Sequence, residues 1–226
     1  MLWAVCDRLS FWGMYGFPVA QARKIWYNVI AVKSILEMIL MSNIYLFSGP
    51  CGCGKTTLSK AYAEHLVNKA GAKQAYLIHG DDFHSGFVEA DEKEKRLENE
   101  RDSSYMRWED ILKFNWDCII CVAQKALDKG LDVVIDYVVE DELPLIKNIA
   151  NKFESNLYYV VLTATEECIK QRIKERGDTE LTERALYLKA KLDNMPEYQG
   201  HLFDNTGMSV EEEIRSLNIE DFRITL

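Results

Sequence analysis

Four short, nearly continuous apolar runs stand out along the chain: Ile44-Tyr45-Leu46-Phe47, Ala75-Tyr76-Leu77-Ile78, Leu131-Asp132-Val133-Val134-Ile135 and Leu157-Tyr158-Tyr159-Val160-Val161-Leu162. Runs of this length, bounded by polar and turn residues, predict strands. Between them the period changes. Leu58, Tyr62 and Leu66 recur at helical spacing within Thr57 to Asn68, and Gly71 stops the run. Further helices are predicted from Trp108 to Lys129, ended by Gly130, from Thr163 to Arg176, and over the acidic stretch Ser209 to Leu217. His201-Leu202-Phe203 reads as a short fifth strand, and the strongly charged stretch Asp91 to Asp102 as a solvated helix or loop. Strands alternating with helices predict an α/β fold whose mostly parallel five-stranded sheet carries helices on both faces.

Residues 1–40 do not share this pattern. Trp3, Phe11, Trp12, Tyr15, Phe17, Trp26 and Tyr27 make the segment aromatic without a clear period. It lacks the layout of a secretory signal. Asp7, Arg8, Arg23, Lys24 and Lys33 break any run of about 18 apolar residues that a membrane span needs. A packing helix, an interfacial anchor and translated sequence upstream of a start at Met41 remain as readings. The last is preferred, because Met41-Ser42-Asn43 immediately precedes the first strand. Residues 1–40 are therefore taken as an N-terminal extension and 41–226 as the folded domain.

Between the first strand and first helix lies Gly49-Pro50-Cys51-Gly52-Cys53-Gly54-Lys55-Thr56, which fits G-x-x-x-x-G-K-[ST] at every fixed position. Strand, turn and helix are the context this phosphate-binding loop requires. Glycines let the backbone fold round an anion, and the free N–H groups at the helix start point at it. Lys55 is expected to reach the β- and γ-phosphates and Thr56 to hold Mg²⁺. The fold expected is thus a P-loop NTPase three-layer sandwich that binds ATP with Mg²⁺.

Ligands of open α/β sheets collect beyond the carboxyl ends of the strands. The second strand ends in His79-Gly80-Asp81-Asp82-Phe83-His84. A carboxylate there suits a base that takes the proton of an attacking hydroxyl; a turn or helix cap is the plainer alternative. The third strand ends in Asp136, which suits a Mg²⁺ ligand beside the phosphate loop, a contact to substrate, or a structural acid. Arg172 and Arg176, one turn apart at the end of a helix, suit a clamp on a transferring phosphoryl group, although cations are ordinary at a helix C-terminus. Arg184 is a weaker candidate. Tyr105, Arg107 and Trp108 read either as an acceptor pocket or, preferably, as the start of a packed helix. No [NT]-K-x-D marks a guanine-reading GTPase, no Asp-Glu pair ends the third strand as in hydrolytic motors, and no L-S-G-G-Q signature occurs.

The net charge of −9 weighs against an extended polyanion as the main partner, since nucleic-acid binding rests on cationic side chains. Two of the six cysteines, Cys51 and Cys53, sit in the phosphate loop, where a disulfide would distort the cradle. Cys118 and Cys121, one turn apart in an apolar run, read as core residues. Reduced thiols together with an ATP site lead to the expectation of a cytoplasmic protein.

Gly49 to Thr57, Asp81-Asp82-Phe83 and the Arg172/Arg176 pair together resemble the P-loop small-molecule kinases, a group that includes nucleoside, nicotinamide riboside, gluconate and shikimate kinases and antibiotic phosphotransferases. The resemblance spans roughly residues 44–217. It implies a transferase that moves the γ-phosphate of ATP to a hydroxyl of a small molecule. Asp81 is then the general base, Lys55, Arg172 and Arg176 stabilise the transferred group, Gly49 to Thr57 with both Thr56 and Thr57 cradle the nucleotide, and Thr56 and Asp136 attend Mg²⁺. Asn205-Thr206-Gly207 falls where a loop contacts adenine in such folds. The Asp-Gly-x-Pro-Arg element of nucleoside monophosphate kinases is absent, and residues 84–110 match no substrate-binding pattern. A kinase acting on a polynucleotide or protein, and a nucleotide-dependent regulatory protein without transfer chemistry, are the competing classes.

Overall fold

The computed structural model describes residues 41–72, 74–88 and 106–226. The chain divides into two units, Met1–Met41 and Ser42–Leu226, and the fold below belongs to the second. The readings made for residues 1–40, for Asp91 to Asp102 and for Tyr105 lie outside the described residues.

The four apolar runs form strands β1 (Asn43–Ser48), β2 (Ala75–His79), β3 (Asp132–Asp136) and β4 (Asn156–Thr163), and β5 spans Leu202–Asp204. They pair in the order β2-β3-β1-β4-β5, all parallel. The α/β, mostly parallel sheet expected from the sequence is thus observed. A sixth, two-residue strand, β6 (Arg223–Ile224), pairs antiparallel with the start of β4, with Leu157 opposite Ile224. Two residues are too few to leave a periodic trace, which is why the pattern predicted five strands.

Side-chain alternation along each strand builds two cores. Ile44 and Leu46 of β1, with Val133, Ile135, Leu157, Tyr159 and Val161, face α3 (Trp108–Leu127), α4 (Leu143–Lys152) and part of α6 (Thr182–Asn194). Tyr45 and Phe47, with Val134, Tyr158, Val160 and Leu162, face α1 (Lys55–Asn68) and the C-terminal residues Leu217 and Phe222. Helices therefore cover both faces, and the sheet is the middle of three layers. Three more α-helices among the described residues are α2 (Gly80–Ser85), α5 (Glu166–Arg176) and, near the end, α7 (Val210–Ser216). No helix among the described residues is long and apolar enough to cross a membrane.

This topology decides where chemistry is possible. β1 lies between β3 and β4, so the chain runs from β1 out to β2, back to β3 and then across β1 to β4. Connections leave the carboxyl end of β1 in opposite senses from its neighbours, and the crevice so created is where ligands of open α/β sheets bind. Phe47 pairs with Asp136, and His79 pairs with Asp136 from the other side. The phosphate loop, Asp81 and Asp136 consequently share one edge of the sheet.

Candidate active site

The loop after β1 turns on glycines. Gly49, Gly52 and Gly54 have φ of 135°, 80° and 93°. At Gly49 the requirement is double, because a Cβ would also collide with the carbonyl oxygen of Leu162 on β4. Gly54 caps α1 without any side-chain hydrogen bond, so the first-turn N–H groups of a 14-residue helix are left for an anion. Lys55, the first helical residue, folds back and donates from Nζ to the Pro50 carbonyl at 3.2 Å. The ammonium thus lies over its own loop.

The two loop cysteines differ in a way their sequence spacing hides. Cys53 is fully buried beneath the loop, and burial pushes its thiol up, partly opposed by Lys55. Cys51 is half-buried, and Arg176 donates from Nη2 to its sulfur at 2.8 Å. Arg176 Nε also bonds Asp178 at 2.5 Å. Arg172, one turn earlier, reaches under the loop to the Cys53 carbonyl (3.4 Å) and to Asn205, meeting its side-chain oxygen at 3.2 Å and its carbonyl at 3.4 Å. Both arginines proposed as a clamp are therefore brought to the phosphate loop, Arg172 on its underside and Arg176 on its flank. Asn205 is wholly buried and bonds the Cys53 carbonyl and Glu213. Thr206 instead caps the neighbouring chain, accepting from the Thr165 N–H and donating to Asp204. Beyond this turn Gly207, Met208, Glu212, Arg215 and Ser216 line an open depression of ≈ 410 Å³.

At the tip of β2, Asp81 and Asp82 fall in the first turn of α2, where the free N–H groups favour acids. Both are exposed. Their placement depends on Gly80, which is packed so closely on the Tyr137 ring that any Cβ would overlap it. Tyr137 is itself fixed: Asn115 Nδ2 on α3 donates to its hydroxyl at 2.9 Å, and Trp116 meets its ring edge-on. Burial pushes the Tyr137 hydroxyl up, the Asn115 bond opposes this, and the nearby Asp81 carboxylate adds to it. At the tip of β3, Asp136 is buried and faces His79 Nδ1 at 3.0 Å. His79 was not singled out from the sequence; its register opposite Asp136 on an adjacent parallel strand is what joins them.

Other sequence candidates are placed as follows. Arg184 pairs with Glu140, which also takes Lys191 at 2.8 Å, so its charge is held against the loop after β3. Trp108 is half-exposed at the start of α3, edge-on to His84, and Arg107 pairs with Asp110 at 3.0 Å. Cys118 is half-buried and Cys121 exposed, so the reading of both as core residues is corrected. The inward face of α3 is built instead by Ile111, Asn115, Trp116, Ile119 and Ala123, which leaves positions 118 and 121 on its flank.

A family model described as an AAA domain matches residues 46–193. The chain belongs to this AAA domain family. The match runs from β1 to the end of α6 and includes the phosphate loop, Asp81, Asp136 and both arginines. Among relatives, this AAA domain is similar to the guanylate kinase of Caldanaerobacter subterraneus subsp. tengcongensis, 24% identical over 188 residues that cover 79% of this chain and 87% of the relative. It is also similar to the phosphate import ATP-binding protein PstB of a Synechococcus species, 31% identical over 81 residues. That second match spans 34% of this chain and 31% of the relative. Among solved structures, the APS kinase CysC of Mycobacterium tuberculosis superposes with a TM-score of 0.49 at 17% identity, over 80% of this chain and 98% of that one. A gluconokinase from Sinorhizobium meliloti 1021 gives a TM-score of 0.47 at 16% identity, over 80% and 89%.

Proposed function

We propose that this protein is an ATP-dependent kinase that transfers the γ-phosphoryl group to a hydroxyl of a small molecule. The observation that carries the reading is the phosphate loop with an acid after each of the two strands on one side of β1, Asp81 following β2 and Asp136 at the tip of β3. Asp81 is exposed on a helical turn, whereas buried Asp136 is engaged by His79. In the reaction, the acceptor oxygen forms a bond to the γ-phosphorus as the bridging O–P bond breaks, and its electrons pass to ADP. Asp81 takes the hydroxyl proton. Lys55 exchanges the Pro50 carbonyl for phosphate oxygens, and Arg176 on the flank of the loop offers a guanidinium to the charge that spreads over the moving group.

The Thr56 hydroxyl and the Asp136 carboxylate are hard oxygen donors of the kind Mg²⁺ takes. Bound there, the ion would neutralise phosphate charge. The strand tip reads Asp136-Tyr137, without the acidic pair that a hydrolytic motor uses to activate water, which favours transfer over hydrolysis.

A second reading has one specific support, the similarity to guanylate kinases. Under it the acceptor oxygen belongs to a nucleoside monophosphate and needs no base. One assay separates the two: incubation with ATP and a panel of nucleosides, sugars, aminoglycosides and nucleoside monophosphates, scored by mass for a gain of phosphate. With a hydroxyl acceptor, Asp81→Asn should slow turnover by about 10²-fold or more, the value of a well-placed base. Turnover of a monophosphate at an unchanged rate in Asp81→Asn overturns the hydroxyl reading. Lys55→Ala should abolish transfer under either one while leaving the melting temperature intact, since the side chain contacts loop and ligand rather than core.

A further inference from the structure

Glu211, Glu212 and Glu213 stand consecutively on α7, outside the segment matched by the family, and only Glu213 is buried. The start of α7 is pinned by a reciprocal cap, in which the Ser209 hydroxyl accepts from the Glu212 N–H and the Glu212 carboxylate accepts from the Ser209 N–H. That fixes the helix phase and turns the next residue inward. Glu213 Oε1 accepts from Asn205 Nδ2 at 2.8 Å. An ionised carboxylate offers only acceptors, so it dictates which end of the Asn205 amide faces it. The amide nitrogen then also meets the Cys53 carbonyl at 2.8 Å, and the amide oxygen turns to Arg172 Nη1 at 3.2 Å. Arg172 adds a second donor to the same Cys53 carbonyl at 3.4 Å. Burial pushes the Glu213 carboxyl up, and the Arg172 charge with the Asn205 bond pulls it back.

In a planar trans peptide the carbonyl and the following N–H point in opposite directions. Two donors holding the Cys53 carbonyl from below therefore aim the Gly54 N–H to the opposite side of the loop. We propose that Glu213 is a positioning residue of the phosphate cradle: through Asn205 and Arg172 it locks the Cys53–Gly54 peptide so that the Gly54 N–H meets the bound polyphosphate. This rests on the nucleotide-binding part of the function proposed above and not on the identity of the acceptor. It also gives Arg172 a place beneath the loop, bonded to the Cys53 carbonyl and Asn205, in place of a contact to the moving phosphoryl group.

The test measures binding of two probes by calorimetry in Mg²⁺ buffer, ATP and inorganic tripolyphosphate, which has no base or sugar. Melting temperatures are recorded alongside. Loss of a charge-assisted bond should weaken both probes by about tenfold or more in Glu213→Ala. Glu213→Gln keeps an acceptor for Asn205 and should recover part of that loss. In transfer assays the loss should appear in the KM for ATP, with kcat less affected. If Glu213→Ala weakens ATP but leaves tripolyphosphate at wild-type affinity, the residue serves the base-side loop and the proposal falls. Should Glu213→Ala not fold, the isosteric Glu213→Gln decides: wild-type affinity for tripolyphosphate overturns the proposal, and a few-fold loss supports it. A wild-type chain that binds both probes yet phosphorylates no acceptor defeats the kinase reading and leaves this one standing. A wild-type chain that binds neither defeats both.

Discussion

Two residues of one loop, identical in type, show how much of a side chain's chemistry is decided by its surroundings. Cys53 points beneath the cradle, wholly buried, while Cys51 lies at its flank beside Arg176. A thiol without access is inert whatever its intrinsic nucleophilicity. Iodoacetamide should therefore modify Cys51 well before Cys53 in the folded protein, and ATP should slow the Cys51 reaction. Peptide mass spectrometry over a time course checks this; equal labelling of the two residues would contradict the buried position of Cys53. Gly80 offers a second residue-scale case. No sequence pattern marks it apart from other glycines, yet any Cβ at this position would overlap the Tyr137 ring. Gly80→Ala should cost about 1–3 kcal/mol through overpacking. It should also displace the first turn of α2, so that activity falls along with the melting temperature. A variant with normal stability and normal turnover would show that the ring moves freely aside.

At the scale of elements, legibility followed burial. β1, β3 and β4 are buried on both faces and printed unbroken apolar runs, which were read to within a residue or two of their ends. α1 shows its period, and both α1 and α3 are followed by glycine stops. α4 was not read, although it carries buried Leu143, Ile146, Ile149 and Ala150. It is only 10 residues long, and Pro144, which looks like a breaker in sequence, sits in its first turn, where no hydrogen bond is lost. α6 buries just Ala185, Leu188 and Leu192 in 13 residues, too thin a stripe to stand out. The burial of α4 makes a measurable claim. Ile146 is fully buried, so Ile146→Ala should destabilise the fold by about 2–5 kcal/mol. The adjacent Lys147→Ala should change it by roughly 0.5 kcal/mol or less. Urea titration of both variants measures the difference, and similar costs at the two positions would remove α4 from the core.

For the molecule as a whole, the site was legible where the topology of the sheet carries it and hidden where distant segments meet. Asp136 ends β3 and Asp81 follows the end of β2, and parallel order brings strand ends to one edge. The contact of Asn205 with the Cys53 carbonyl joins residues 152 positions apart, and nothing in either neighbourhood announces it. His201 is a similar case on the opposite core, where the end of a 3₁₀ turn presses its ring against Tyr159 of β4. Burial pulls this imidazole below its ordinary value of 6.5, a backbone hydrogen bond with Tyr159 opposes the shift, and Lys147 reinforces it. The folded protein then binds a proton at His201 less readily than the unfolded chain does. Between the lowered folded value and 6.5 the unfolded state carries the extra proton, so stability is complete above that window and declines as pH falls through it. Carboxyls pushed upward by desolvation, buried Glu213 and half-buried Asp132, act in the opposite sense as pH falls, so the wild-type curve alone does not isolate the histidine. Urea unfolding of wild type and His201→Gln at pH 7.5 and pH 5.5 does isolate it, because the carboxyl contributions cancel in the difference. The wild type should lose more stability between the two values than the variant; equal losses would mean that His201 titrates alike in both states and that its ring is open to water.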